Sequence, residues 1–310
     1  MDNVPFLSFM FLEKTTNSSV RATALGVTLI AGTTVTSFAP HAGGWRVERA
    51  DAAPLDAHAV IIATGGLSVP ATGSDGLGLR ELARLGHAMH PTYAALTPLT
   101  ADASALTELS GVSLTVGLTA RDGSRSASAS GGFLFTHRGY SGPSVLDVSH
   151  VLVRSRVESQ REARIVVRWT PLGESEWEQR LLPQGGRTVT GALRGALPDR
   201  LAAALLARAG VDPARSLSDL RREERRRLVE TLTRGELPWS GDEGYKKAEV
   251  TGGGVALGEV DPRTMESKRH PGLYICGEVL DAFGPIGGYN FLWAWATGRA
   301  AGIGAAGRAS

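Results

Sequence analysis

The chain of 310 residues has a single cysteine, Cys276. One thiol excludes an internal disulfide and a cysteine-based zinc site. Seven histidines, at 41, 58, 87, 90, 137, 150 and 270, are scattered without metal-ligand spacing, so no metal site is expected. Net charge is also scarce. The formal value of +2 gives composition no footprint for nucleic acid or for a membrane surface. Long apolar runs are missing. The N-terminal patch Pro5-Phe-Leu-Ser-Phe-Met-Phe-Leu12 is too short to span a bilayer and lacks the basic flank of a signal peptide, so the cytoplasm is the expected location. Glycine is absent before Gly26. Nothing ahead of it can build a strand, a Gly-x-Gly-x-x-Gly loop and a helix.

After Gly26, glycine is abundant. The chain has 39, against a usual share of roughly 7%. They cluster at 65–78, 131–142, 252–258 and 284–304. Such clusters suit loops that approach a ligand closely, and also plain turns. Hydrophobic content of 42% and charge of 21% are ordinary for a globular protein long enough for two domains.

Periodicity predicts the elements. Gly26–Ile30 reads as a short strand, and Thr34–Phe38 with Trp45–Arg49 as a hairpin around Gly43-Gly44. Ala57-His-Ala-Val-Ile-Ile-Ala63 is a continuous apolar run, the mark of a strand in a parallel sheet. Ser74 is placed to N-cap a helix over about 75–85. Short β segments follow at Ser110–Ala120 and Gly132–Thr136. Ser141-Gly-Pro143 opens a helix, Arg164–Trp169 is a strand, and 174–235 is helical. Arg221–Arg227 reads as a solvated helix face, with RNA contact as the weaker alternative.

Four segments carry candidate chemistry. Ile62-Ala-Thr-Gly-Gly66 is a strand exit whose bare backbone suits close approach to a nucleotide. Leu273-Tyr-Ile-Cys-Gly277 is a second exit, continued by Glu278, Asp281 and Gly287-Gly-Tyr-Asn290 before an apolar helix. Glu278 could accept from ribityl hydroxyls or cap a loop N–H. Asn290 is a plausible N-cap, and the helix N-terminus, carrying about half a positive charge, could face a flavin carbonyl edge. Cys276 reads as core. Phe135-Thr-His137 beside Ser141-Gly-Pro143 makes His137 a candidate proton donor or anion contact, or a residue that orders the turn. Val250-Thr-Gly-Gly-Gly-Val255 suggests a backbone-lined pocket, with Thr251 and Lys268 as possible polar contacts. Gly302-Ile-Gly-Ala-Ala-Gly307 matches the dinucleotide pattern as text but follows a helix, so it is rejected.

Together these motifs resemble the BaiN/YhiN-like family of NAD(P)/FAD-dependent oxidoreductases, also labelled aminoacetone oxidase-family flavoproteins. The shared residues run from Ala-Thr-Gly-Gly-Leu-Ser at 63–68, with Thr72-Gly73, Gly76 and Gly86-His87, to Gly277-Glu278, Asp281 and Gly287–Asn290. The resemblance implies an α/β chain with a split Rossmann-like FAD-binding domain, lacking its first β-α-β unit. An inserted β domain and a small helical subdomain interrupt it. The expected boundaries are 1–97 and 245–310 for the two FAD parts, 98–173 for the β insertion and 174–244 for the helical subdomain. By the same resemblance, Val35, Ala63, Thr64, Gly65, Gly66, Gly277, Glu278, Asp281, Gly287, Gly288, Tyr289, Asn290 and Phe291 would contact FAD. NAD(P)H is the implied reductant and a small organic molecule the implied substrate. An RNA-modifying flavoprotein is the lesser alternative. The family opens with the dinucleotide loop that this sequence does not show, so the chain reads as N-terminally truncated. FAD binding is then expected to be weak or lost unless a separate chain supplies the segment.

Overall fold

The computed structural model describes residues 16–102, 108–123, 125–158, 163–183 and 185–308. The apolar patch at 5–12 lies outside the described residues, as does most of the segment read as an atypical start. The chain is mixed α/β and divides into two compact units. One gathers the described residues up to Ala94 with those from Tyr245 onward; the other is Ala95–Gly244.

The first unit begins with helix α1 (Thr16–Ala24). The strand expected at Gly26–Ile30 does not form. The amides of Gly26 and Val27 bond back to Thr23 and Ala22, so the chain closes the helix end and does not join a ladder. Strands β1 (Val35–His41) and β2 (Gly44–Arg49) make the expected hairpin, and β3 (Ala52–Ala57) adds a third antiparallel strand in the order β1-β2-β3. Strand β4 (Val60–Ile62) is shorter than the apolar run that contains it. Helix α2 (Leu77–Arg84) starts later than expected, and Asp75, not Ser74, accepts from its first N–H at 2.8 Å. Strand β5 (Met89–Ala95) ends this part.

The second unit is built on a seven-stranded sheet. It contains β6 (Leu99–Thr100), β7 (Ser113–Asp122), β8 (Arg125–Phe135), β9 (Gly139–Ser141) and, after helix α3 (Pro143–Glu158), β10 (Arg164–Arg168). Helices α4 (Glu174–Arg180), α5 (Val189–Leu193), α6 (Asp199–Ala209) and α7 (Arg222–Arg234) follow. The short strands β11 (Gly235–Glu236) and β12 (Gly241–Asp242) complete it. The strand order is β11-β10-β7-β8-β9-β6-β12. Alternation along β7 sends Val116, Leu118 and Ala120 into the core, on the face where α3 packs.

The first unit resumes with β13 (Val250–Val255), paired to β5, and β14 (Leu273–Ile275), paired parallel to β4. Helix α8 (Tyr289–Arg308) closes the chain. Trp45, Leu82, Tyr274, Ile275 and Val279 form the core of this unit. Parallel pairing sets the exits of β4 and β14 side by side, which positions both glycine-rich turns at one end of the pair.

Candidate functional site

The β4 exit passes through Ala63, Thr64, Gly65 and Gly66, with Gly65 at φ +70°. Gly66 is required for a different reason. A Cβ there would overlap the Thr251 side chain and stand 2.7 Å from Glu278 Oε1. The segment therefore presses directly on β13 and on the turn after β14. Thr251 Oγ1 accepts from the N–H groups of Leu67 (2.7 Å) and Ser68 (3.1 Å). Glu278 Oε1 accepts from Ser68 Oγ (2.6 Å) and from the Thr251 N–H (2.9 Å). Asp281 Oδ1 accepts from the Gly253 N–H at 3.1 Å. Three segments far apart in sequence are thus tied at one place.

These contacts bear on several expectations. Glu278 caps the Thr251 N–H through one carboxylate oxygen. Thr251 is a structural clamp, and Ser68 joins the network, a role that sequence spacing did not single out. Lys268 donates to the Gly258 carbonyl at 2.9 Å, so its contact is with its own loop. Cys276 is buried core, and burial pushes its thiol up to about 11, which makes it a poor thiolate.

Gly287 and Gly288 sit at φ +111° and +95° just before α8, and a Cβ on Gly288 would meet open space. The first-turn amides of the helix, from Tyr289, Asn290 and Phe291, are donors that an α-helix cannot satisfy internally. Asn290 does not act as the N-cap. It lies inside α8, and its side chain closes the preceding loop by accepting from the Gly284 N–H (2.8 Å) and donating to the Gly284 carbonyl (3.2 Å). The helix is fastened to the β14 exit by Trp293 Nε1, which donates to the Gly277 carbonyl at 3.1 Å, and by Thr297 Oγ1, which accepts from the Gly277 N–H at 3.0 Å. Beside the helix, Ala282, Phe283, Gly284, Tyr289, Leu292, Trp293 and Ala296 line an apolar hollow of about 330 Å³.

The remaining candidates lie elsewhere. Val35 opens β1, paired with Arg49 and half-buried. His137 is exposed between β8 and β9, in the second unit. The turn around it is ordered by Thr136, whose Oγ1 accepts from the Arg138 (3.2 Å) and Gly139 (3.0 Å) amides, so the turn-ordering role falls to the neighbour. Among the described residues, no cluster of His, Cys, Asp and Glu could hold a metal, and no helix is long and apolar enough to cross a membrane.

What the arrangement offers is bare glycine-rich backbone at two adjacent strand exits beside a helix N-terminus with first-turn donors, a suitable surface for a phosphate-bearing or anionic cofactor. Comparison with known proteins gives this surface a context. Residues 16–304 match the model described as the HI0933-like protein Rossmann domain. A ribosomal RNA dihydrouridine synthase of Escherichia coli (strain K12) is 38% identical over 241 residues, 77% of this chain and 58% of that protein. The Haemophilus influenzae protein of the same description is 35% identical, covering 78% of this chain and 58% of its own length. A 3-dehydro-bile acid delta(4,6)-reductase of Clostridium scindens is 32% identical, covering 84% of this chain and 65% of its own. The chain therefore spans about three-fifths of the length of these relatives. With a Rossmann-domain match over nearly its whole length, this chain belongs to the HI0933-like family.

Proposed function

We propose that the chain is the flavin-holding part of an FAD-dependent reductase that adds hydrogen across a polarised carbon–carbon double bond. The observation that carries this reading is the paired glycine-rich exits of β4 and β14, clamped through Ser68, Thr251 and Glu278, beside the open N-terminus of α8. The residues fit a flavin. Gly277, Gly287 and Gly288 have positive φ, and a Cβ added at any of them would meet nothing nearer than 3.9 Å. The first-turn amides of α8 favour negative charge on whatever ring edge faces them. Ala63–Gly66 would lie against the nucleotide part, and Glu278 would offer its second oxygen to a hydroxyl. When bound, FAD supplies the hydride, with NAD(P)H as the reductant that replenishes it.

The relatives' printed names share one chemistry. Dihydrouridine is uridine with two hydrogens added at a ring double bond conjugated to a carbonyl, and a delta(4,6)-reductase likewise removes double bonds. We take uridine in ribosomal RNA as the first substrate, because two relatives of that description match. A small enone is the second reading, favoured by the longer coverage of the bile-acid reductase. His137, exposed beside a glycine-rich turn of the second unit, is kept as the candidate proton donor or anion contact.

The test is the flavin absorption spectrum of the purified full chain, alone and with excess FAD. It is followed by anaerobic reduction with NADPH or NADH and reoxidation by an rRNA fragment or by a steroid enone. The expected result is weak binding, seen as a shifted and structured flavin band in excess FAD, and reoxidation by RNA. Stoichiometric FAD retained through purification would overturn the expectation of weak binding and strengthen the assignment. No perturbation of the flavin band at any FAD concentration would overturn the assignment for this chain alone and favour dependence on a separate polypeptide.

A further inference from the structure

Strands β7 and β8 turn one face to α3, and register fixes what β10, β7 and β8 carry on the opposite face. Arg164 stands opposite Arg121, which stands opposite Ser126. In the next row Val166, Thr119 and Ser128 lie in line, and in the next Arg168, Gly117 and Ser130. Like charges directly opposite one another on adjacent strands are destabilising. Nevertheless Arg121, Arg164 and Arg168 form no ion pair among the described residues, although neighbouring arginines do: Arg125 with Glu158, and Arg234 with Glu174 at 3.3 Å. The acid nearest in register is Glu236, opposite Val166 on β11.

The surface between these arginines is low and of mixed character, with the Thr119, Ser128 and Ser130 hydroxyls set beside Gly117, Ala129 and Val166. The Arg168 side chain lies over Gly117, where an added Cβ would stand 3.5 Å from its Nε, an ordinary contact distance. Thr119 and Ser128 pair their hydroxyls at 2.9 Å. The C-terminal turn of α7, with Thr233 and Arg234, walls one side, and the resulting groove has a volume of about 700 Å³. A shallow groove with small residues and hydroxyls on its floor, edged by the guanidiniums of Arg121 and Arg168, unpaired among the described residues, fits a run of phosphodiesters through that charged rim.

We propose that this face docks the sugar–phosphate backbone of the RNA substrate, an inference that rests on the RNA reading given above. Phosphates would bridge Arg121 with Arg164 and reach Arg168, relieving the cation–cation opposition within the sheet. None of these arginines belongs to the glycine-rich surface of the first unit. Their charge can therefore be changed without touching the flavin-binding residues.

The experiment measures binding of the full chain to a structured rRNA fragment by fluorescence anisotropy across a salt series. It compares the wild type with R121Q/R168Q and with the charge-keeping R121K/R168K. The neutral pair is expected to bind roughly tenfold or more weakly at low salt, with a log–log salt slope shallower by about 1.5 to 2. The lysine pair should stay near wild type. Circular dichroism checks that each variant folds; if the neutral pair does not, the single R168Q decides, with a salt slope shallower by about 1 expected and an unchanged slope overturning the proposal. Unchanged affinity and slope in R121Q/R168Q would overturn the proposal, as would binding to anionic lipid vesicles in preference to RNA. Wild-type chain that binds RNA through these arginines but forms no dihydrouridine would instead overturn the substrate reading and leave the docking face standing.

Discussion

Helices α7 and α8 invert what their compositions suggest. Helix α7, Arg-Glu-Glu-Arg-Arg-Arg-Leu-Val-Glu-Thr-Leu-Thr-Arg, is mostly charge, yet it buries Leu228, Val229 and Leu232 completely or nearly so. Its arginines are also occupied: Arg225 meets Glu178 at 3.0 Å, and Arg227 Nε donates to the Ala209 carbonyl at 3.1 Å. At its start the Arg221 N–H bonds the Glu224 carboxylate, which holds that acid below the usual carboxylate range. Helix α8 has one charged residue, Arg299, before Arg308, and by composition should be enclosed. It buries only Thr297, Ala301 and Ala305, and leaves Phe291 (76%), Trp295 (74%) and Leu292 (66%) in the open. The lesson is that three apolar residues in register anchor a helix, while apolarity spread around the cylinder does not.

The sharpest way to break this comparison is to attack the stripe of α7. Leu232→Ala should lower the unfolding free energy by about 2–5 kcal/mol, read from denaturant curves. A loss below 1 kcal/mol would show that the charges, not the stripe, hold the helix. The next largest effect should come from the small-residue face of α8. Ala301 is fully buried, and Ala301→Leu should cost about 1–3 kcal/mol through overpacking, read the same way. A neutral result would mean that the helix is loosely seated. The smallest effect belongs to the exposed face. Trp295→Ala should change stability by no more than about 0.5 kcal/mol, read as a shift in melting temperature of a few degrees at most. A larger loss would show that the face is covered in solution.

Much of the fold was readable where one physical signal dominates. The Pro143 helix start, the β1–β2 hairpin and the helices of 174–235 follow from ring geometry, alternation and leucine stripes. Strand β3, Ala-Ala-Pro-Leu-Asp-Ala, was not readable, because it lacks β-branched residues and contains a proline. It owes its place to the ladder with β2 and to the Arg46–Asp56 pair at 2.7 Å. In the candidate site, the two glycine-rich exits were visible as local sequence. Their fastening was not, since Ser68 meets Glu278 across 210 residues and only the parallel pairing of β4 with β14 brings them together. Asn290 misled for a related reason. An asparagine before an apolar run is an N-cap signal, but here a loop six residues back offered it both a donor and an acceptor. The arginine face was only half visible: alternation along β10 puts Arg164 and Arg168 on one face, but strand register alone brings Arg121 beside them.

The clamp around Gly66 bears on how stiff this region is. The amides of Leu67, Ser68, Thr251 and Gly253 all donate to side-chain oxygens from distant segments. Their protons can exchange with solvent only when those segments part, so they should belong to a slow class in hydrogen–deuterium exchange. Glycine density usually signals slack. At Gly66 it marks instead where backbones are drawn together until no side chain fits, so the two strand exits should open as one unit.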